Sequence, residues 1–236
     1  MKSDPVHSSP TRPIRSFVLR QGRLSDAQAR ALKELSPEWG IPFSRNPIHF
    51  PDVFGNSEPV ILEIGSGMGE TTAQIARQDP QHNFLAIEVH GPGVGSLLRR
   101  IHEDHIPNIR LIQHDAVEVI EHMIVPNSLA GIHIYFPDPW PKKRHHKRRL
   151  IQAGFVTELT SRIQPGGYIH VATDWQDYAE HILAVLSSSP RLINSSSTFA
   201  TRPAWRPQTK FEHRGLKLGH GVWDILFHKR ADSIID

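Results

Sequence analysis

Asp138 stands between two prolines in Pro137-Asp138-Pro139-Trp140-Pro141, directly after the apolar stretch 131–136. Proline fixes its own φ and restricts the residue before it, so the backbone around Asp138 and Trp140 is stiff. A carboxylate held this way at the end of a central strand can grip a polar substrate edge and offset positive charge developing there. A hydroxyl or exocyclic amine would need it as a general base, whereas a ring nitrogen with a free lone pair would not. Trp140 either stacks on a base or packs its own loop. The next eight residues, Lys142, Lys143, Arg144, His145, His146, Lys147, Arg148 and Arg149, include six Lys or Arg and no acid. The whole chain carries +3, so everything outside this run sums to −3. One strongly basic segment on an otherwise slightly acidic chain is the electrostatic footprint of a polyanion.

A second constellation lies upstream, in Glu63-Ile64-Gly65-Ser66-Gly67-Met68-Gly69-Glu70. Alternate glycines permit a tight turn and close approach of backbone to a ligand. Glu88 follows at the end of the next apolar run and Asp115 at the end of the one after that. A carboxylate at the position of Glu88 can accept from both hydroxyls of a ribose. Dinucleotides and S-adenosyl-L-methionine both fit a glycine loop followed by such an acid. Glu63 and Glu70 would repel a pyrophosphate but attract a sulfonium and an ammonium, so the charges favour S-adenosyl-L-methionine. The sixteen histidines show no metal-ligand spacing: His145 and His146 are adjacent, and no H-x-x-x-H falls on a convincing helix. No metal site is expected.

These residues need a scaffold that delivers them to one edge. The pattern predicts a capping box at Ser25 and Gln28, a helix over 26–35 ended by Ser36-Pro37, and a Pro-rich loop over 37–58. From 59 onward strands and helices alternate. Strands are predicted at 60–64, 83–89, 109–113, 131–136, 168–172, 192–194 and 222–227, and helices at 70–78, 91–105, 116–123, 150–163 and 175–186. The fourth of these helices could begin inside the basic run, near Arg148. Such alternation implies right-handed crossovers and an α/β, Rossmann-like, mostly parallel sheet with helices on both faces. Ligands of such sheets bind beyond the carboxyl ends of the strands, which is where Gly65, Glu88, Asp115 and Asp138 fall. The expected organisation is a disordered tail over 1–15, an N-terminal helix and loop over 16–58, and one catalytic domain over 59–232. No stretch is apolar enough for a membrane span or a secretory signal, so a cytoplasmic protein is expected. The absence of Cys excludes disulfides, thiolate zinc sites and a Cys nucleophile.

The glycine loop resembles the acid-x-G-x-G-x-G motif of class I methyltransferases, which implies a seven-stranded sheet with an antiparallel last strand. The longer match is to bacterial tRNA (guanine-N7)-methyltransferases. It rests on the Pro137 to Leu150 segment, on Arg15-Ser16-Phe17 with Arg20 to Arg23, on Ala172-Thr173-Asp174-Trp175, on Thr209 to Gly215, and on Gly219 to Asp224. The resemblance spans roughly residues 15–230. It implies methyl transfer from S-adenosyl-L-methionine to N7 of guanine 46 in the variable loop of tRNA. Glu63, Gly65, Glu88, Asp115 and Asp138 would then line the cofactor and catalytic centre. Lys142, Asp174, Thr209, Lys210, Phe211 and Glu212 would bind the substrate. Arg144, His145, His146, Lys147, Arg148 and Arg149 would contact the RNA. Either a monomer or a homodimer is compatible with this reading.

Overall fold

The computed structural model describes residues 15–18, 22–209, 212 and 221–231. Nearly all of the tail expected over 1–15 lies outside the described residues. The first helix, α1 (Asp26–Trp39), opens on the anticipated capping box: Ser25 Oγ accepts from Gln28 N, and the Gln28 side chain accepts from Ser25 N. It runs past the expected stop at Pro37. Proline in a last turn forfeits one backbone bond but does not end the helix, which closes with Gly40 N donating to Ser36 O. A short helix, α2 (Phe50–Phe54), interrupts the region expected to be loop. Pro51 starts it and Gly55, at φ 74°, ends it. Five residues are too few to show a helical period.

The sheet has seven strands: β1 (Val60–Ile64), β2 (Asn83–Ile87), β3 (Ile109–Ile112), β4 (Leu129–Tyr135), β5 (Ile163–Thr173), β6 (Leu192–Asn194) and β7 (Trp223–Lys229). Their order is β3-β2-β1-β4-β5-β7-β6. Pairings from β3 across to β5 are parallel, and β7 runs antiparallel to both β5 and β6. Helices α3 (Glu70–Gln78), α4 (Gly91–Glu103), α5 (Ala116–His122), α6 (Ala153–Arg162) and α7 (Gln176–Ser187) make the crossovers. One core packs Leu62, Ile132, Ile134, Val171 and Ile225 with buried residues of α5, α6 and α7. The other packs Ile61, Phe84 and Ala86 with Ala31, Ala73, Leu97 and Leu98 of α1, α3 and α4. The near-continuous apolar strands follow from burial on both faces.

Strand order reverses between β1 and β4, and a crevice must open above their carboxyl ends. A further feature lies on one face of the sheet. On the face that carries the second core, the β4–β5–β7 end is polar, with His133, Tyr135, Tyr168, His170 and Asp224. Trp205 and Arg206, from the irregular stretch between β6 and β7, pack onto these residues. Among the described residues no helix is long and apolar enough to cross a membrane.

Candidate cofactor and catalytic site

The glycine loop joins β1 to α3. Gly65, Gly67 and Gly69 take φ of 80°, 55° and 75°, a region that side chains disfavour. Gly65 N donates to Ile87 O at 2.8 Å, fastening the loop to β2. Glu88 fixes the rest. Its Oε2 accepts from Gly67 N at 2.8 Å, and its Oε1 accepts from Val89 N at 2.7 Å and His90 N at 2.9 Å. A carboxylate has about four acceptor positions, so one remains on Oε2 for a ligand hydroxyl, where the sequence suggested room for two. Gly93 lets α4 lie directly on the loop, since a Cβ there would stand 2.4 Å from Gly67 O.

Glu63 is 3% exposed, and its Oε2 has no hydrogen-bond partner among the described residues. Burial pushes its carboxyl up to about 7; the Thr72 hydroxyl opposes part of the rise and Glu88 adds to it. Asp115 is the N-cap of α5, with Oδ1 accepting from Val117 N at 3.0 Å, which leaves its other oxygen available. A cavity of about 210 Å³ is lined by Gly65, Glu88, Asp115, Ala116, Tyr135 and Asp138, among others. A second cavity of about 570 Å³ adjoins it across Gly65, Tyr135 and Phe136. Glu63, the remaining loop glycines, Glu70 and Thr209 bound it.

Asp138 crowns a strained pedestal. Phe136 and Trp140, on either side of Pro137-Asp138-Pro139, both take positive φ, 52° and 47°. Non-glycine residues persist there only where their surroundings over-determine them. Phe136 N donates to Ala172 O at 2.7 Å, and Pro139 O accepts from Arg149 Nε at 3.0 Å. Trp140 packs the loop: its Nε1 donates to Ser16 O at 3.0 Å, and the Arg148 guanidinium lies 4.6 Å from its ring centroid. Asp138 itself is exposed and makes no ion pair or hydrogen bond with the described residues. It lines the first cavity and also a cleft shared with Val18, His90 and Trp140.

The basic run forms a 3₁₀ turn, Lys143–Arg148, and α6 begins only at Ala153, later than expected. Like charges crowded along one turn favour a short solvated element over an early helix start. Lys142, Lys143, Arg144 and Lys147 are exposed. His145 sits edge-on to Trp140, while His146 Nε2 pairs with Arg149 Nη2. Arg149, expected among the RNA contacts, turns inward. Its side chain is 2% exposed, pairs with the Asp177 carboxylate and lies over Tyr178. It braces the Asp138 loop against α7. Each neutralised phosphate adds about 0.7–0.9 to the salt slope of nucleic-acid binding. Replacing Lys143, Arg144 and Lys147 by glutamine should therefore lower the slope of log Kd against log salt for tRNA by roughly 2. Titrations from low to moderate salt check this, and an unchanged slope would remove the turn from the RNA path.

Of the remaining candidates, Lys210 and Phe211 lie outside the described residues. Asp174 reaches the same sheet edge as Asp138 but opens on a separate cleft with Trp175, Gln176, Asp177, Glu180, Gly221 and Trp223. It does not cap α7; the N-cap is Trp175, whose N–H donates to Thr173 Oγ1 at 3.3 Å. Thr209 borders the second cavity. Glu212 is 5% exposed, and both its carboxylate oxygens accept from Arg206. Sequence reasoning missed Tyr135, His170, Arg206 and Asp224. The signal for the first two was a polar residue at every second position of otherwise apolar strands; Arg206 left none.

A sheet of this order, a glycine loop over its switch point and acids at the ends of β1, β2, β3 and β4 define a class I methyltransferase, whose methyl donor is S-adenosyl-L-methionine. Residues 57–225 match the family model described as "Putative methyltransferase". The chain belongs to the tRNA (guanine-N(7)-)-methyltransferase family. It is 61% identical over 228 residues to the relative of that name from Nitrosospira multiformis, covering 97% of this chain and 100% of the relative. The relative from Nitrosomonas eutropha is also 61% identical, covering 93% of this chain and 98% of its own. Among solved structures, 16S rRNA methyltransferase KamB superposes with a TM-score of 0.54 at 13% identity, over 89% of this chain and 95% of that one. A 30S ribosomal A1408 methyltransferase from an uncultured bacterium gives 0.52 at 11%, over 76% and 92%. These two likenesses concern the fold.

The residues present fit the cofactor. Glu63 could offer an ammonium a buried oxygen that has no partner among the described residues, and Glu88 keeps one acceptor position for a ribose hydroxyl. Asp115 and Ala116 line the same cavity as Glu88. The N-terminus of α3 faces the second cavity, where its dipole suits a carboxylate. Among the described residues no group of His, Asp or Glu could hold a metal ion.

Proposed function

We propose that this protein methylates N7 of guanine 46 in the variable loop of tRNA. The observation that carries the reading is the placement of Asp138. It is an exposed, unpaired carboxylate among the described residues, on a strained pedestal between the cofactor cavity and the basic turn. Bound S-adenosyl-L-methionine supplies an electrophilic methyl group. Guanine N7 attacks with its own lone pair, so no base has to remove a proton first. As the N7–methyl bond forms and the carbon–sulfur bond breaks, the purine ring becomes positive. Asp138 holds the base by its N–H edge and offsets that charge. Glu63, Glu88 and Asp115 orient the donor. Lys142, Lys143, Arg144 and Lys147 meet phosphates, which position RNA without reading its sequence. Asp174 and Thr209 bound the approach to the base.

The test is incubation of the purified chain with methyl-labelled S-adenosyl-L-methionine and unmodified tRNA, then nucleoside analysis. Label in 7-methylguanosine, lost when guanine 46 is replaced, is the expected result. Label on another atom or nucleotide, or on a small molecule alone, overturns the reading.

A further inference from the structure

Arg206 is fully buried at 1% exposure, although it lies in an irregular segment. An arginine so enclosed is rare unless paired. Its planar fork grips two carboxylates at once. Nε and Nη2 donate to Asp224 at 2.7 and 2.8 Å, and Nη1 and Nη2 donate to Glu212 at 2.6 and 3.2 Å. Asp224 belongs to β7 and also pairs with His170 Nε2 at 2.8 Å, while His170 Nδ1 meets Tyr135 Oη at 3.1 Å. The rigid sheet thus anchors one side of the fork. On the other side, Glu212 N donates to Thr209 Oγ1 at 3.1 Å and Thr209 N donates to Glu212 Oε2 at 3.4 Å. That is the reciprocal geometry of a capping box. The grip on Glu212 is thereby passed to Pro207, Gln208 and Thr209, which form the wall of the second cavity that faces Glu63 and the glycine loop.

On the S-adenosyl-L-methionine reading, that cavity and the first divide the cofactor between them. Glu88, Asp115 and Ala116 serve the nucleoside. The amino-acid end carries one positive and one negative group. The second cavity offers buried Glu63 to the ammonium and the N-terminus of α3 to the carboxylate.

We propose that Arg206 is a positioning residue for the amino-acid end of the cofactor: gripping Glu212 from the Asp224 anchor, it holds Pro207 to Thr209 as the wall over the glycine loop. The proposal rests on the S-adenosyl-L-methionine reading of the site. Glu212, on this account, acts through the wall it fixes. An ion pair in the interior contributes little to net stability, yet a two-pronged fork fixes geometry as a single point charge cannot.

The test compares two ligands by calorimetry. S-adenosylhomocysteine has the amino-acid end, and 5′-methylthioadenosine lacks it. Arg206→Lys keeps the charge between the two buried carboxylates but cannot span both. It should weaken S-adenosylhomocysteine at least tenfold and methylthioadenosine less than twofold. Thr209→Val leaves the Arg206–Asp224 anchor intact and covers the case in which Arg206→Lys does not fold. It should reproduce the same selective loss at three- to tenfold, and Thr209→Ser should restore parental binding. Equal weakening of both ligands, or of neither, overturns the positioning role. No binding of S-adenosylhomocysteine by the parent chain overturns the cofactor reading and the proposal with it.

Discussion

Asp138→Ala should lower kcat for tRNA methylation by about 10²- to 10³-fold, the range seen when one preorganised group that stabilises a charged transition state is removed. The fold should not notice. Asp138 is exposed and unpaired among the described residues, so its loss leaves no buried group stranded, and the melting temperature should stay within a few degrees. The pedestal is held elsewhere, by Phe136 N to Ala172 O and by Arg149 to Pro139 O. Cofactor affinity should shift less than about fivefold, because Glu63, Glu88 and Asp115 are untouched. Asp138→Asn separates the two tasks of the carboxylate: it keeps the shape and one acceptor but loses the charge. If offsetting charge dominates, Asn falls near Ala; if gripping the base dominates, Asn falls between Ala and the parent. Single-turnover rates with saturating cofactor make the measurement. A rate for Asp138→Ala within threefold of the parent would place the chemistry on another residue.

The residues that sequence exposed best are those at the ends of periodic elements. Gly65, Glu88, Asp115 and Asp138 each follow an apolar run, so recognising the strand was enough to place the side chain at the sheet edge. Residues whose role depends on contacts across the chain stayed hidden. Within 142–149 nothing distinguishes Arg149 from its neighbours; only the arrival of Asp177 and Tyr178 on α7 turns it inward. Glu212 looked like a group for the substrate because its buried partner, Arg206, lies in a stretch without periodicity and is anchored by Asp224 from β7. Pro37 misled for a local reason: proline warns of a helix end, but a last turn can absorb it. The polar side chains on β4 and β5 were legible as letters and not as a network. Their meaning depends on which segment covers that face, and an irregular segment carries no pattern.

Glu63 should make cofactor binding strongly dependent on pH, in a sense opposite to its effect on stability. Burial holds its carboxyl at about 7 against an ordinary 4.5, so the free protein carries a protonated Glu63 through most of the acidic range. The cofactor ammonium needs the carboxylate. Binding below pH 7 must therefore release a proton, and the dissociation constant should fall about tenfold per unit as pH rises from 5.5 to 6.5. The slope should flatten above 7, with an upper limit set where the ligand amine titrates, near 8. Stability of the free protein runs the other way. A raised acid favours the fold while it is protonated in both states, below 4.5, and this contribution is lost as pH rises through 7, a cost of roughly 3 kcal/mol. Glu63→Gln removes both dependences. Without cofactor at pH 8 it should melt higher than the parent, and it should bind S-adenosylhomocysteine at least tenfold more weakly with little change between pH 5.5 and 8. Calorimetry in buffers of different ionisation enthalpy reads the released proton directly. Parallel pH profiles for parent and variant would show that Glu63 stays charged in the free protein and would overturn this prediction.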